Sequence, residues 1–434
     1  MTDEAPKLPT PGLATTEPQW RVVLSFSLLL VAVFICSSPT IRMSTWQIPE
    51  WNHGWQEARA WHDGRLEIAS DVPSASAARA RDSVWLDGKV YNVFPPFWSF
   101  VSYAVQWLTR LQAQWGELTP ADVETFYVPW YVAIVALPLP LAGFWAIRRT
   151  GISSEWAAVL TAYWLLGTPL YHLLFMCKDG EVNTINHVVS NTALMVIAGD
   201  VIGRRRIWPS AIGLVIGLWT RQLTFLFLPA IIWAAWQDPA RRKRRLPVVA
   251  AAAIVGAGAI LTLNTLKFGS PFDSGYGRIY DGRDDLYAQR YRAYDRAFDP
   301  RYIPRNFMSM NFGLPTVEFS RMRVILNSSA DGVSIWLTSP LLLYGLIFTR
   351  RWWRDPARRA LMLSSGLVIA GLLMYHTTGS VQPGMFRFAM DFAPIWLVVI
   401  APRVIEGRHR TVLAICMGWS LLYFHLLCSS FISG

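Results

Sequence analysis

Residues Arg241–Leu266 read RRKRRLPVVAAAAIVGAGAILTLNTL. Five consecutive cations precede 21 residues, Leu246 to Leu266, that carry no ionisable side chain. A run of about twenty apolar residues crosses the hydrocarbon core of a bilayer as a helix rising 1.5 Å per residue. Lys and Arg gathered at one end of such a run mark the side that stays in the cytoplasm. The stretch therefore predicts a membrane-spanning helix whose N-terminal end is cytoplasmic.

The same reading extends outward to the rest of the chain. Apolar runs occur at Trp20–Cys36, Phe126–Ile147, Glu155–Met176, Asn186–Ile202, Ile207–Thr220, Leu223–Trp236, Val333–Thr349, Ala360–Tyr375, Phe386–Ala401 and Thr411–Phe431. The expected fold class is an all-α integral membrane protein with about eleven transmembrane helices. Residues 1–19 read as a disordered cytoplasmic tail, and 20–434 as a single polytopic membrane domain. The tail holds Asp3, Glu4 and Glu17 in place of a basic leader, so Trp20–Cys36 reads as a retained signal anchor.

Composition agrees. Of 434 residues, 53% are hydrophobic and only 16% charged, where a soluble domain has roughly a quarter charged. The 22 Trp, 22 Phe and 15 Tyr suit a molecule with two membrane–water interfaces to line. Disorder, a disulfide scaffold and a nucleic-acid module are excluded. The net charge of +11 belongs with cytoplasmic loops and anionic headgroups. Cys36, Cys177, Cys416 and Cys428 have no metal or disulfide spacing and read as inert thiols.

Arg148-Arg149, Arg204–Arg206, Arg241–Arg245, Arg350–Arg359 and Arg403–Arg410 are assigned to the cytoplasm. Consistency then puts the turn Thr220-Arg221-Gln222 outside. It also requires Phe94–Leu111 to lie in the interface as an outer juxtamembrane helix. Two long loops remain outside, 37–125 and 267–332, and loops of that length are usually functional.

Several residues there could carry chemistry. Glu50, His53 and Glu57 fall at helical spacing in the first loop, where a carboxylate in a half-dry setting gains basicity. They could equally form the polar face of an amphipathic helix. Asp82, Asp87, Lys89 and Tyr91 precede the rigid pair Pro95-Pro96, and Lys89 could hold a lipid phosphate or merely snorkel. Arg221 lies between two short spans with no acidic residue in either, which leaves a phosphate as its natural counter-ion. Arg387 stands at the outer start of a span and suits a bidentate phosphate grip, unless Asp391 four residues on neutralises it. His187 lies just inside a span, and Tyr276 sits in a second loop rich in Arg, Asp and Tyr that suits sugar hydroxyls. Glu50, Asp82 and His187 could assemble a divalent metal site, but no spacing signature supports it.

Seven segments together resemble the GT-C superfamily of polytopic, lipid-phosphosugar-dependent glycosyltransferases. This group contains the protein O-mannosyltransferases and the lipid A aminoarabinose transferase. The segments are EWNHGWQEARAWHDGRLEI (50–68), DGKVYNVFPPFWSF (87–100), GLVIGLWTRQLTFLFLP (213–229), FGSPFDSGY (268–276), RYIPRNF (301–307), SPLLLYG (339–345) and GMFRFAMDFAPIW (384–396).

The resemblance implies that Glu50 occupies the place of the first-loop catalytic carboxylate, commonly Asp, with His53 as second candidate. It implies donor-phosphate binding by Lys89, Arg221 and Arg387, because Phe94 stands where the aminoarabinose branch has Lys. Substrate contacts are then expected at Asp82, Asp87, Tyr91, His187 and Tyr276, and some members carry a metal near the first-loop carboxylate. The expected function is transfer of a sugar from a polyprenyl-phosphate donor to a glycan, lipid or protein acceptor. The active site would face outward from the cytoplasmic (inner) membrane, with the N-terminus inside and membrane lipids around the spans. The alternative is a transporter or flippase of lipid-linked saccharides, which should show inverted repeats; none is evident in the sequence.

Overall fold

The computed structural model describes residues 52–68, 82–115, 134–135, 137–176, 182–203, 206–281, 283–320, 323–327, 331–348, 350–377 and 387–432. The expected tail, the signal anchor, Glu50, Cys36, Cys177, and residues 126–133 and 136 of the expected span Phe126–Ile147 lie outside these residues.

The protein is mostly helical. In chain order the helices are α1 (His53–His62), α2 (Phe97–Trp115), α3 (Pro138–Arg148), α4 (Ser154–Leu166), α5 (Pro169–Met176), α6 (Val182–Ile202), α7 (Trp208–Thr220) and α8 (Leu228–Trp236). They continue with α9 (Pro239–Phe268), α10 (Leu286–Tyr294), α11 (Ile303–Phe312), α12 (Pro340–Phe348), α13 (Pro356–Leu373), α14 (Ala393–Val404) and α15 (Arg410–Ile432). Among the described residues, four helical stretches are long and apolar enough to cross a membrane: Thr184–Ile202, Pro239–Phe268, Pro356–Leu373 and Gly407–Cys428. Trp208–Thr220, Gln222–Trp236 and Ala393–Val404 are apolar but shorter.

Helix α6 is the hub, with 83% of its apolar stretch buried inside the protein against 17% for α9. It packs on α3, α5, α7 and α14. Gly199 lets α3 approach, since a Cβ there would lie 2.8 Å from the Cα of Ala146. At its end, buried Asp200 accepts from the backbone N–H of Arg206 (2.8 Å), Ile207 (3.0 Å) and Ser210 (3.3 Å). These are donors at the start of α7 that have no partner within that helix.

Several expected spans are broken. Glu155–Met176 is two helices, α4 and α5, separated at Gly167-Thr168-Pro169, where proline has no N–H to continue the ladder. In Val333–Thr349 a short turn, Ile335–Thr338, gives way to α12 at Ser339-Pro340. Between α7 and α8 the chain is extended at Arg221 (φ −146°, ψ 105°) and then runs as a 3₁₀ helix, Gln222–Phe227. Thirteen residues of α7 rise only about 20 Å. Arg221 therefore sits at an irregular backbone between two short pieces, as the spacing predicts.

The expectation of an all-α chain needs one correction. Each long loop carries an antiparallel hairpin, β1 (Val84–Leu86) with β2 (Lys89–Tyr91) and β3 (Thr316–Ser320) with β4 (Arg323–Asn327). The first turns at Asp87-Gly88, both at positive φ (50° and 76°), the geometry that an Asp-Gly pair favours in two-residue hairpins. The expected juxtamembrane segment Phe94–Leu111 forms α2, which begins at Phe97; it keeps Trp107 and Leu108 exposed and Val105 buried.

Helix α1 is moored to α2 and α9. The Asn52 side chain caps α1 by accepting from Trp55 N–H (3.1 Å), and it also accepts from the Trp98 indole (3.1 Å). Fully buried Glu57 accepts from Asn92 Nδ2 (2.7 Å) and Ser99 Oγ (2.5 Å) and is ion-paired with Lys267 at the far end of α9. Lys267 also donates to the Asn92 carbonyl at 3.0 Å. Two charges enclosed this way need each other. Lys267→Met alone should cost roughly 3–5 kcal/mol by stranding Glu57. The Glu57→Gln, Lys267→Met double variant should melt close to wild type in detergent; a double variant as unstable as the single one would remove the pair as the mooring.

Candidate functional site

The break after α7 and the 3₁₀ segment Arg387–Asp391 before α14 bring two distant polar stretches together. Arg221 grips Asp391 with both prongs, Nε donating at 3.1 Å and Nη2 at 2.6 Å. Asp391 is almost fully enclosed, and Nδ1 of His187 on α6 approaches it to 3.7 Å, too far for a hydrogen bond. The Phe388 ring fills the space between, with the guanidinium carbons of Arg221 and Arg387 at 4.7 Å and 5.5 Å and the His187 ring at 5.8 Å.

Here the sequence expectation is corrected. Arg221 has a protein counter-ion, Asp391, so it does not depend on a phosphate for one. Arg387 does not pair with Asp391, although the two are four apart. In an α-helix such residues share a face; at 3.0 residues per turn they point about 120° apart. Arg387 is 8% exposed, its Nε has no hydrogen bond, and it has no carboxylate partner among the described residues.

Arg387 lines a cleft of about 350 Å³ between the two long loops and the ends of the helices. Val93, Phe94 and Pro95 form one wall, Ile260 and Leu372 give apolar flanks, and Tyr276 and Tyr375 lie on the second-loop side. On the cleft wall the Asn186 side chain is 2% exposed, and neither its amide nitrogen nor its oxygen has a hydrogen-bond partner. Buried polar atoms are normally satisfied. An enclosed cation and an idle amide facing one cleft are thus poised for a polar, negatively charged guest. Arg221 and Arg387 against Asp391 leave the site positive whatever the state of His187.

The second loop roofs this cleft. Asn306 donates to the Tyr375 carbonyl (2.6 Å), Arg305 to the His376 carbonyl (2.8 Å), and His376 N–H to Ala297 (2.8 Å). The His376 ring bonds the Tyr280 hydroxyl at 2.8 Å, and Tyr276 packs edge-on against Tyr280 at 6.0 Å.

Among the expected site residues, Arg221, Arg387, His187 and Tyr276 come together. His53 is buried behind the cleft wall, 5.4 Å from the Phe94 ring. Lys89 is exposed on the hairpin and pairs with Glu67 at 3.4 Å. Asp82 pairs with Arg283 (2.8 Å), Asp87 occupies the hairpin turn, and Tyr91 meets Phe268 edge-on at 5.9 Å. None of these hairpin residues lines the cleft. Sequence reasoning passed over Asn186, Phe388 and Tyr375. The only cue was polar spacing on α6, where Asn186, His187, Ser190 and Asn191 interrupt one face of an apolar run. Among the described residues no group of three or more His, Cys, Asp or Glu could hold a metal ion; Asp82 is paired with Arg283, His187 packs on Phe388, and Glu50 lies outside the described residues. Compared with protein-family models, with curated proteins and with solved structures, the chain has no match.

Asp391→Asn should strand Arg221 and lower stability by roughly 3–5 kcal/mol. Asp391→Glu should recover part of that loss in a melting measurement; equal losses would mean the charge pair is dispensable. His376 adds a pH dependence. Burial lowers its pKa from 6.5 to about 4, so the unfolded chain takes up a proton that the fold refuses. The contribution is complete above about pH 6.5 and fades towards pH 4. Melting temperature should drop over that window in wild type and less so in His376→Gln; parallel curves would assign the loss elsewhere.

Proposed function

We propose that the chain is a multi-pass membrane glycosyltransferase that takes a sugar from a polyprenyl-phosphate donor. The observation that carries this is that enclosed Arg387, with no carboxylate partner among the described residues, and the idle Asn186 amide line one cleft with apolar flanks. An amphipathic lipid phosphate matches that combination. Its phosphate meets a guanidinium, its prenyl chain leaves along hydrocarbon surface, and its sugar faces Tyr276 and Tyr375 under the second loop.

In this reading Arg387 is the donor-phosphate ligand. Arg221, held by Asp391, positions the site and adds positive field. Glu50 is the base that removes the proton from the acceptor hydroxyl as its oxygen attacks the anomeric carbon. The bond to the phosphate oxygen breaks, and the growing charge on the departing polyprenyl phosphate is stabilised by Arg387. The wider frame is the GT-C type, with about eleven spans, a cytoplasmic N-terminus and an outward-facing site in the inner membrane. The basic loops support that orientation. Acceptors with a free hydroxyl fit, whether glycan, lipid or protein.

Binding of polyprenyl phosphate, the product common to all such donors, tests the proposal on purified protein. Arg387→Ala should weaken binding tenfold or more, and Arg387→Lys, which keeps charge but loses the two-pronged grip, less. Glu50→Gln should bind normally yet, in a deletion strain, restore the missing envelope glycan roughly 10²–10⁴-fold more slowly. Undiminished binding in Arg387→Ala would end the donor assignment. Movement of a labelled lipid-linked saccharide across the bilayer without transfer would make the protein a carrier.

A further inference from the structure

A second recess lies on the surface of the bundle between α7 and α9, towards the starts of these helices, whereas the cleft borders their later turns at Thr220, Ile260 and Asn264. It has a volume of about 480 Å³, and its walls, including Trp208, Ile212, Pro247, Ala251 and Val255, are apolar throughout. The two helices run parallel from the same end. They close together deeper in, where a Cβ on Gly256 would lie 2.5 Å from Leu218 Cδ1, and they stand apart nearer Trp208 and Pro247. The recess is thus a trough, open at the helix starts, that follows about 12 Å of helix rise.

The open end meets the basic run Arg241–Arg245. On α9, Arg244 precedes Pro247 and Val248 by three and four residues, so it continues the trough-facing stripe by one turn. It is exposed and has no hydrogen bond or ion pair among the described residues. The arginines around it are otherwise occupied: Arg245 is buried beside Asp238 (3.5 Å), Arg241 reaches the same carboxylate (3.7 Å), and Arg242 lies over the Trp236 ring at 4.1 Å; Lys243 is exposed on another face of the helix. Trp208 and Trp236 are 62% and 52% exposed at this same end. Exposed indoles beside cations at the ends of apolar helices mark the level of the membrane–water interface. The trough therefore starts at the headgroups and runs into the hydrocarbon.

We propose that this trough binds one anionic glycerophospholipid, with an acyl chain along α7 and α9 and its phosphate on Arg244. The five cations of Arg241–Arg245 against Asp238, with exposed Arg206 and buried Asp200 at the start of α7, leave this end positive and favour a headgroup with net negative charge over a zwitterionic one. The apolar walls fix the chain, so the site selects a lipid and not a free phosphate. The inference needs α7 and α9 to lie in a bilayer and is independent of the sugar-transfer reading.

Native mass spectrometry of the full chain, released from micelles containing phosphatidylglycerol or phosphatidylcholine, tests it. One phosphatidylglycerol should be retained at least fivefold more than phosphatidylcholine. Arg244→Ser should abolish the preference. Lys243→Ser removes an equal charge about 100° around the helix from Arg244 and should leave the preference largely intact. Ala251→Trp, or Val255→Phe should the first variant fold poorly, fills the trough without touching charge and should release the lipid. Equal retention of the two lipids in wild type would overturn the proposal. So would equal effects of Lys243→Ser and Arg244→Ser, which signal diffuse attraction, or a lipid that survives both trough-filling variants.

Discussion

The bidentate bond between Arg221 and Asp391 is the constraint on which the rest of the site depends. A guanidinium among apolar helices is costly unless a carboxylate meets it with good geometry. Meeting it requires an extended residue at the end of α7 and a 3₁₀ segment ahead of α14, so two helices give up regular backbone for one contact. His187 and Phe388 then pack against the pair. By engaging Asp391, Arg221 also removes the one carboxylate among the described residues within reach of Arg387 along this segment. The positive character of the cleft is a by-product of which arginine the aspartate serves.

Around that centre the two long loops are fastened by the same logic at two places. Glu57 and Lys267 tie the first loop to the end of α9, while Asn306 and Arg305 tie the second loop to backbone carbonyls beyond α13. Both fastenings border the cleft without presenting a free charge to it: Glu57 is saturated by Lys267, Asn92 and Ser99, and the second-loop contacts end on carbonyls. The guanidinium of Arg387 and the amide of Asn186 keep idle polar atoms.

Much of this was legible from the chain alone, because ionisable residues in apolar runs are conspicuous. Arg221 at a break, Arg387 at a span start and His187 within a span could each be singled out by position. Their pairing could not. Asp391 is 170 residues from Arg221, and its local spacing suggested Arg387 under α-helical geometry, whereas the backbone there is 3₁₀. Glu57 looked like part of a polar face; its burial depends on a lysine at the distant end of α9. The hairpin of Lys89 and Asp87 had its turn signal in Asp-Gly, but which way it would project is set by packing against Ile68 and Phe268. Asn186 was overlooked because only its environment, not its identity, distinguishes it.

The separation of Arg221 from Asp391 also has a meaning in time. A ribosome adds about 5–20 residues per second, so the 170 residues between them occupy on the order of ten to thirty seconds of synthesis. Throughout that interval α7 and α8 exist while their arginine still awaits its partner. Other polar groups, water among them, have to meet the guanidinium until the last tenth of the chain, which holds Asp391, is made. A chain cut short before Asp391 would carry an orphan guanidinium among its helices, a clear mark by which quality control could tell an unfinished molecule from a complete one.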